Sequence, residues 1–203
     1  GNDFSARVIA QGLTGLLAQP VIVDNRAGTV IPVTVVAKAP ADGYTLLVAG
    51  TTFLLTPLLQ TVPFDPVRDF SPVTLVEKTP NVLVVHPTVA VKSVKELIAL
   101  AKAKPGQLNY ASATPGGTPH LSTELFKAMV GVDIVQVVYK GNGPAITGVV
   151  AGEVQLMFVG AAQISPRVKS GRVRALASTG LQPSALVPEL PTVSATVPGY
   201  ESV

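Results

Sequence analysis

The sequence predicts an α/β protein in which strands and helices alternate along the whole chain. Short apolar segments typical of buried strands recur, and each is bounded by glycine, proline or asparagine turns. Most of these segments are followed by a stretch with helical periodicity. Such alternation is typical of largely parallel sheets covered by helices. With 203 residues, 47% of them hydrophobic and 13% charged, the chain has ample material for a packed core.

The predicted helices begin with Asp3–Gln19, an amphipathic segment that Pro20 ends. The strongest helical signals belong to Ser93–Lys104, where Ser93 and Glu96 form a predicted capping box. The other predicted helices are Thr34–Ala39, Phe53–Leu59, the segment from Pro119 to Val130 with Thr118 as N-cap, Ala145–Ala151 and Gln163–Lys169.

The predicted strands are short, and several are apolar throughout, which is typical of strands buried on both faces. The segment Val73–Val85 is long and extended, and we expect it to cross between two lobes. The strands are predicted at Val21–Val23, Tyr44–Ala49, Val82–Val85, Asn109–Ala113, Ile134–Val138, Val154–Phe158 and Val173–Ala177.

Composition excludes several classes of function. Without cysteine the chain has no disulfides and no thiolate chemistry. Its net charge of +3 comes from scattered lysines and arginines, so nucleic-acid binding is not expected. The uncharged stretch Gly43–Phe64 is long enough to cross a bilayer, but its prolines and polar residues divide it into a strand and a short helix.

Catalysis is poorly supported by the residues present. His120 beside Ser112 or Ser122 leaves a hydrolase as a minor alternative, although the sequence has no G-x-S-x-G motif. The favoured interpretation is that His120 is a helix-start residue whose ring supports the turn or lines a cleft. The glycines at 141 and 143 do not continue into a phosphate-binding motif. We expect no metal and no cofactor, because the ligand clusters that a metal site needs are missing from the sequence.

The most informative stretch is Asn109–Val130, which predicts a strand, a tight glycine turn and a helix. Free backbone N–H groups, hydroxyls and the positive end of the helix dipole would face one spot, which suits a carboxylate. An ordinary strand-to-helix connection that binds nothing is the alternative. The residues that would form the anion site are Ser112, Thr114, Gly116, Gly117 and Thr118.

Similar turns follow other predicted strands, at Thr51-Thr52, Gly141–Pro144 and Val159–Ala161. In open α/β sheets, ligands bind at the carboxyl ends of the strands. Because few charges accompany these turns, the predicted chemistry is binding of a small anion by hydrogen bonds, and the protein is not expected to be an enzyme.

The chain resembles the extracytoplasmic solute receptors of tripartite tricarboxylate transporters, the Bug or TctC-type receptors, over essentially its full length. The segments that carry the resemblance are Asp3 with the helix after it, Asn25-Arg26, Ala37–Leu47, Pro63–Val76, Ser93–Ala113, His120–Asp133, Val138–Phe158, Ser170–Thr179 and Glu189–Ser202.

The resemblance implies a two-lobed periplasmic binding protein of the second type, with a mostly parallel sheet in each lobe. Residues 1–80 would begin lobe 1, residues 81–178 would form lobe 2, and residues 179–203 would return toward lobe 1. A small carboxylate would bind between the lobes. Beyond the turn residues already given, the resemblance implies contacts from Asp3, Thr51, Thr52, Phe158, Val159, Gly160 and Ala161.

The resemblance also implies a periplasmic, monomeric receptor that delivers its ligand to the membrane components of a tripartite transporter. A sensor that presents the same ligand to a signalling partner is the alternative. No signal peptide is visible, and the chain resembles a form shortened at both ends. Many relatives have an acidic residue where this chain has Val159, so we expect a carboxylate ligand without an α-amino group.

Overall fold

The computed structural model describes residues 2–113 and 116–203. The chain divides into two compact units, Gly1–Glu77 (unit 1) and Lys78–Val203 (unit 2). The boundary lies within a few residues of the one predicted at 80. Residues 179–203, predicted to return toward the first lobe, are part of unit 2.

Unit 1 contains three helices among its described residues: α1 (Asn2–Leu17), α2 (Val30–Ala37) and α3 (Thr52–Leu59). Phe53 on α3 packs against the rings of Phe64 and Phe70, with centroid separations of 6.1 and 5.0 Å. This aromatic cluster fixes α3 against the connector that follows it.

Three predictions for unit 1 are wrong in the described structure. Neither 21–23 nor Tyr44–Ala49 forms a strand, and the Tyr44 side chain is 92% exposed. The predicted apolar face of α1 is not buried either, since Phe4 is 73% and Leu16 84% exposed. A strand requires hydrogen bonds to a neighbouring strand, and neither segment pairs with a strand among the described residues. The mostly parallel sheet expected in this lobe is therefore not seen in this unit.

Unit 2 is built on a five-stranded sheet, and here the α/β prediction is confirmed. The strands are β1 (Asn81–Val85), β2 (Asn109–Ser112), β3 (Val135–Val138), β4 (Leu156–Gly160) and β5 (Arg174–Ser178), in the spatial order β3-β2-β4-β1-β5. β2 runs parallel to β3 and β4, whereas β1 is antiparallel to both β4 and β5. The sheet is thus mostly parallel with one reversed strand.

The helices of unit 2 are α4 (Val94–Ala103), α5 (Thr118–Val130), α6 (Asn142–Ala151) and α7 (Ala161–Lys169), with a 3₁₀ turn at Val193–Ala195. Both faces of the sheet are covered. Along β4, Phe158 joins a cluster with Phe126 and Tyr200, whereas Met157 and Val159 join the cluster on the opposite face. Burial on both faces explains why β1 and β4 read as continuous apolar runs.

The C-terminal tail packs into the core of unit 2. Tyr200 is fully buried, its ring lies 6.3 Å from that of Phe126, and its hydroxyl donates to the Ser122 carbonyl at 2.9 Å. Burial raises the pKa of Tyr200 well above its usual value. An apolar ring with a satisfied hydroxyl is a strong anchor for an otherwise irregular segment.

Helix starts follow the predicted chemistry with small differences. The Ser93 hydroxyl accepts the Glu96 N–H at 3.2 Å, but the Glu96 carboxylate accepts from Lys92 N rather than from Ser93 N. Thr118 is the first residue of α5 and Gly117 is its N-cap, one residue earlier than predicted. Among the described helices none has the length and apolarity needed to cross a bilayer.

Candidate functional site

Three parallel strands of unit 2 end at one edge of the sheet. β2 ends at Ser112, β3 at Val138 and β4 at Gly160, and each strand leads into the start of a helix. The first N–H groups of a helix have no intrahelical partner, and the helix dipole places partial positive charge there. The edge therefore gathers the positive ends of α5, α6 and α7, an arrangement suited to anions.

Ser112 ties two of these strands together. Its side chain is fully buried, and its Oγ accepts a hydrogen bond from Gln136 Nε2 at 2.7 Å. Its carbonyl accepts the N–H of Tyr139 at 2.8 Å. Because Gln136 is fixed two residues before the end of β3, it holds the Ser112 hydroxyl in place at the end of β2.

The turn between β2 and α5 is shaped by glycine. Gly116 is buried and has φ +76°, the left-handed region that favours glycine. Its N–H donates to His120 Nδ1 at 3.0 Å, so the histidine ring supports the turn. Gly117 is extended (φ −71°, ψ 159°) and leads into α5. The predicted site residue Thr114, and Pro115 of the same turn, lie outside the described residues.

The first turn of α5 is anchored to the start of β1. Asn81 pairs with Gly160, so β1 begins at the same edge where β4 ends. Asn81 Nδ2 donates to the buried Ser122 Oγ at 3.0 Å, and Ser122 Oγ donates to the Thr118 carbonyl at 2.7 Å. Ser202 Oγ lies 2.7 Å from the same hydroxyl. These bonds hold the start of α5 firmly against the sheet.

The loop before α6 has a backbone conformation that glycine alone adopts readily. Gly141 has φ +119° and ψ 165° and caps the helix that follows. Lys140, immediately before it, is exposed and places a cation at the same edge of the sheet. Asn142 Nδ2 donates to Gln163 Oε1 at 3.3 Å, which links the first turns of α6 and α7.

The predicted loop Phe158–Ala161 contributes less than expected. The side chains of Phe158 and Val159 are fully buried in the two hydrophobic clusters, and Ala161 is 1% exposed. Only the main chain near Gly160 reaches the edge. The expectation of a ligand without an α-amino group rests on the absence of a carboxylate at position 159 and does not require the Val159 side chain to contact the ligand.

Two segments of unit 1 that carry predicted site residues, the start of α1 and the turn before α3, contact each other through Asn2 and Gly50. Asp3 lies in the first turn of α1, where its carboxylate accepts hydrogen bonds from Asn25 and Arg7, and these bonds hold its pKa below the usual value. A Cβ on Gly50 would lie 3.6 Å from Asn2 Oδ1, so the turn before α3 contacts the start of α1.

Thr51 and Thr52 occupy the start of α3. Thr51 holds the N-cap position without a side-chain capping bond, and Thr52 is the first helical residue. The Thr52 carbonyl accepts the Thr56 hydroxyl at 2.6 Å. The Thr51 hydroxyl is therefore not engaged in capping its own helix.

No catalytic pair forms among the described residues. His120 Nδ1 accepts from Gly116, Ser112 accepts from Gln136, and Ser122 is engaged with Thr118, so none of the described hydrogen bonds joins the histidine to either serine. A nucleophile and its base must lie within hydrogen-bond reach. Within residues 2–113 and 116–203, the structure also brings together no group of three histidine or acidic side chains that could hold a metal ion.

Sequence reasoning missed Gln136. Gln136 lies on β3 and reaches Ser112 across the strand pair, and this contact depends on register, which the sequence does not show. The sequence had placed His120 at the helix start as a ring that supports the turn, and its bond from Gly116 agrees with that expectation.

Comparison with known proteins identifies the family. Residues 5–202 match the family described as the tripartite tricarboxylate transporter family receptor. The chain belongs to this family. It is 38% identical over 198 residues to BugT of Bordetella pertussis and 37% identical over 204 residues to a protein of Pseudomonas sp. (strain P51) encoded between tcbD and tcbE. These matches cover 95% and 98% of the chain, and the chain spans 61% of the length of each relative. The tripartite tricarboxylate receptors are solute-binding proteins and not enzymes.

Solved structures of similar proteins have the same fold. An R. palustris protein solved with adipate superposes with a TM-score of 0.83 and is 38% identical; the match covers 98% of this chain and 69% of that one. MatC of Rhodopseudomonas palustris, solved with bound malate, superposes with a TM-score of 0.81 at 30% identity. The match covers 99% of this chain and 70% of MatC. The periplasmic binding protein BugD superposes with a TM-score of 0.81 at 29% sequence identity, and the match covers 98% of this chain and 68% of BugD. The predicted periplasmic-binding-protein fold and receptor family are thus confirmed.

Proposed function

We propose that the protein is a periplasmic receptor that binds a small organic carboxylate. The observation that carries the proposal is the convergence of three helix starts on one sheet edge, beside the Ser112 hydroxyl and the Gly116–Gly117 turn. Partial positive charge and free N–H groups favour a carboxylate there. The adipate-bound and malate-bound relatives support the same class of ligand.

The proposed contacts come mostly from main-chain N–H groups and hydroxyls. Phe158 and Val159 would contribute only main chain, because their side chains lie in the core. Lys140 adds an exposed cation that would favour a ligand with a second carboxylate. The full proposed set is Asp3, Thr51, Thr52, Ser112, Thr114, Gly116, Gly117, Thr118, Phe158, Val159, Gly160 and Ala161.

The proposed partner is the membrane part of a tripartite tricarboxylate transporter, to which the receptor delivers its ligand as a monomer. The family description supports this partner. Reconstituted membrane components should take up the carboxylate only when the receptor is added. Uptake that is independent of the receptor would contradict the delivery role and leave the sensor alternative standing.

Calorimetry with a matched set of ligands tests the proposed ligand class. Adipate and malate should bind, and adipamide, the uncharged diamide of adipate, should not, because the site would recognise negative charge. Aspartate and glutamate should bind more weakly than the simple acids if the ligand carries no α-amino group. Equal binding of adipate and adipamide, or no binding of any acid, would show that the ligand class is wrong.

The start of α5 can be tested separately with Thr118→Pro. Proline is tolerated at the first helical position, and Gly117 already has the extended conformation that a following proline requires. The change removes one N–H without altering the expected backbone. A hydrogen bond to a charged group is worth about 1.5–3 kcal/mol, so affinity should fall by roughly tenfold to a hundredfold. Thr118→Val keeps the N–H and loses only the hydroxyl, so comparing the two variants separates the contribution of the N–H from that of the hydroxyl.

A further inference from the structure

His120 is hydrogen-bonded to the glycine turn that precedes its own helix. The ring lies in the first turn of α5, and its Nδ1 accepts the N–H of Gly116 at 3.0 Å. Gly116 sits in the middle of the proposed carboxylate turn, in the left-handed conformation. A glycine there is free to adopt many other conformations in the absence of such a bond.

The bond defines which ring nitrogen carries the proton. Because Gly116 donates to Nδ1, that nitrogen must be unprotonated, and the neutral ring then carries its proton on Nε2. The carboxylate one turn further along the helix does not compete for the ring. Glu124 Oε1 accepts from the Tyr110 hydroxyl at 2.6 Å and from Lys127 Nζ at 2.8 Å.

We infer that His120 is a positioning residue for the ligand. Its Nδ1 holds the Gly116–Gly117 turn in the conformation that directs the free N–H groups at the start of α5 toward a carboxylate. This inference rests on the proposed function. Holding the turn before the ligand arrives lowers the entropy that binding would otherwise cost.

Two amide substitutions separate the two ring nitrogens. In His120→Asn the side-chain oxygen takes the place of Nδ1 and can still accept from Gly116. In His120→Gln the amide extends to the place of Nε2, so the bond to Gly116 is lost although size and polarity are kept. A general structural role would treat the two variants alike, whereas the positioning role requires them to differ.

His86 provides a matched control elsewhere in unit 2. Its Nδ1 lies 2.7 Å from Thr88 Oγ1 and accepts the Thr88 N–H at 3.3 Å. It follows Val85, which pairs with Leu156 at the beginning of β4, whereas the proposed site lies where β4 ends. His86→Gln therefore removes a similar bond at the opposite edge of the sheet.

The experiment measures adipate affinity by calorimetry and ring protonation by ¹⁵N NMR. His120→Asn should bind within about twofold of the wild type, and His120→Gln should bind about fivefold more weakly, since a net hydrogen bond is worth about 1 kcal/mol. His86→Gln should leave affinity unchanged. The wild-type spectrum should show an unprotonated Nδ1 in His120. Thermal melting of each variant verifies that it is folded.

The outcomes separate the inference from the proposed function. If His120→Gln binds as well as His120→Asn, or if NMR finds the proton on Nδ1 of the neutral ring, the positioning role is wrong while carboxylate binding stands. If the wild type shows the expected ring protonation but binds neither adipate nor malate, the proposed function fails, and the ligand-positioning role fails with it.

Discussion

Gly148 on α6 lies directly under the Tyr139 ring. Replacing a helical glycine with alanine usually stabilises a protein, but here we expect Gly148→Ala to destabilise it. A Cβ built on Gly148 would lie 2.3 Å from the Tyr139 hydroxyl oxygen and 2.6 Å from Cζ. Both distances are shorter than any real contact, so the ring must move. Moving it breaks the bond from the Tyr139 hydroxyl to Glu153 Oε2, which is 3.0 Å long.

The magnitude follows from opposing contributions. Alanine in place of glycine within a helix stabilises by about 1 kcal/mol. Displacing Tyr139 loses a hydrogen bond worth about 1 kcal/mol and the packing of a half-buried ring, worth roughly 1–2 kcal/mol. We therefore expect Gly148→Ala to lower the free energy of unfolding by about 1–2 kcal/mol.

Urea denaturation followed by far-UV circular dichroism measures this change, and a double-mutant cycle isolates its cause. In a Tyr139→Ala background the ring is gone, so Gly148→Ala should stabilise by about 1 kcal/mol. Gly143→Ala on the same helix is the control, because a Cβ there meets nothing within 4 Å. If Gly148→Ala stabilises the protein equally in both backgrounds, the steric argument is refuted.

Two further predictions concern helix anchoring in unit 2. Ser93→Ala should lower the free energy of unfolding by about 1 kcal/mol because the Glu96 N–H loses its acceptor, whereas Ser93→Thr keeps the cap; urea denaturation of both variants checks this. Burial would raise the pKa of Glu124, but hydrogen bonds from Lys127 and Tyr110 outweigh it and hold that pKa below its ordinary value of 4.5. The ionised Glu124 carboxylate therefore stabilises the folded protein at pH values above 4.5. This stabilisation is lost as the pH falls through the lower pKa that Glu124 has in the folded state. In melting curves recorded from pH 6 to pH 3, Glu124→Gln should lose less stability than the wild type as the pH falls. An equal loss in the two proteins would contradict the stabilising role of the Glu124 carboxylate.

The strands of unit 2 were predictable because their signal is local. Val82–Val85 and Leu156–Val159 are apolar throughout and fully buried, which is typical of strands buried on both faces. Small boundary shifts remain: β4 begins two residues later than predicted and ends at Gly160. The apolar run Tyr44–Ala49 has the same pattern but forms no strand, because pairing depends on a partner that a local pattern does not specify.

The candidate site was predictable in outline and not in detail. Hydroxyls and glycines between a strand and a helix identified the turn that contains Ser112 and Gly116, since such turns leave N–H groups free. The contacts that fix the turn, from Gln136 and His120, depend on strand register and on the helix start. The side chain of Val159 lies in a hydrophobic cluster because helices cover both faces of the sheet at β4, and that covering depends on the tertiary structure.

The sequence by itself determined the α/β class, the receptor family and the existence of the glycine turn, because composition, periodicity and ordered motifs are properties of the chain alone. The tertiary structure decided the reversed direction of β1, the gathering of three helix starts at one edge, and the packing of Tyr200 in the core of unit 2. These features bring together residues far apart in the chain. They depend on which strands pair and which faces are buried, and only the folded chain specifies both.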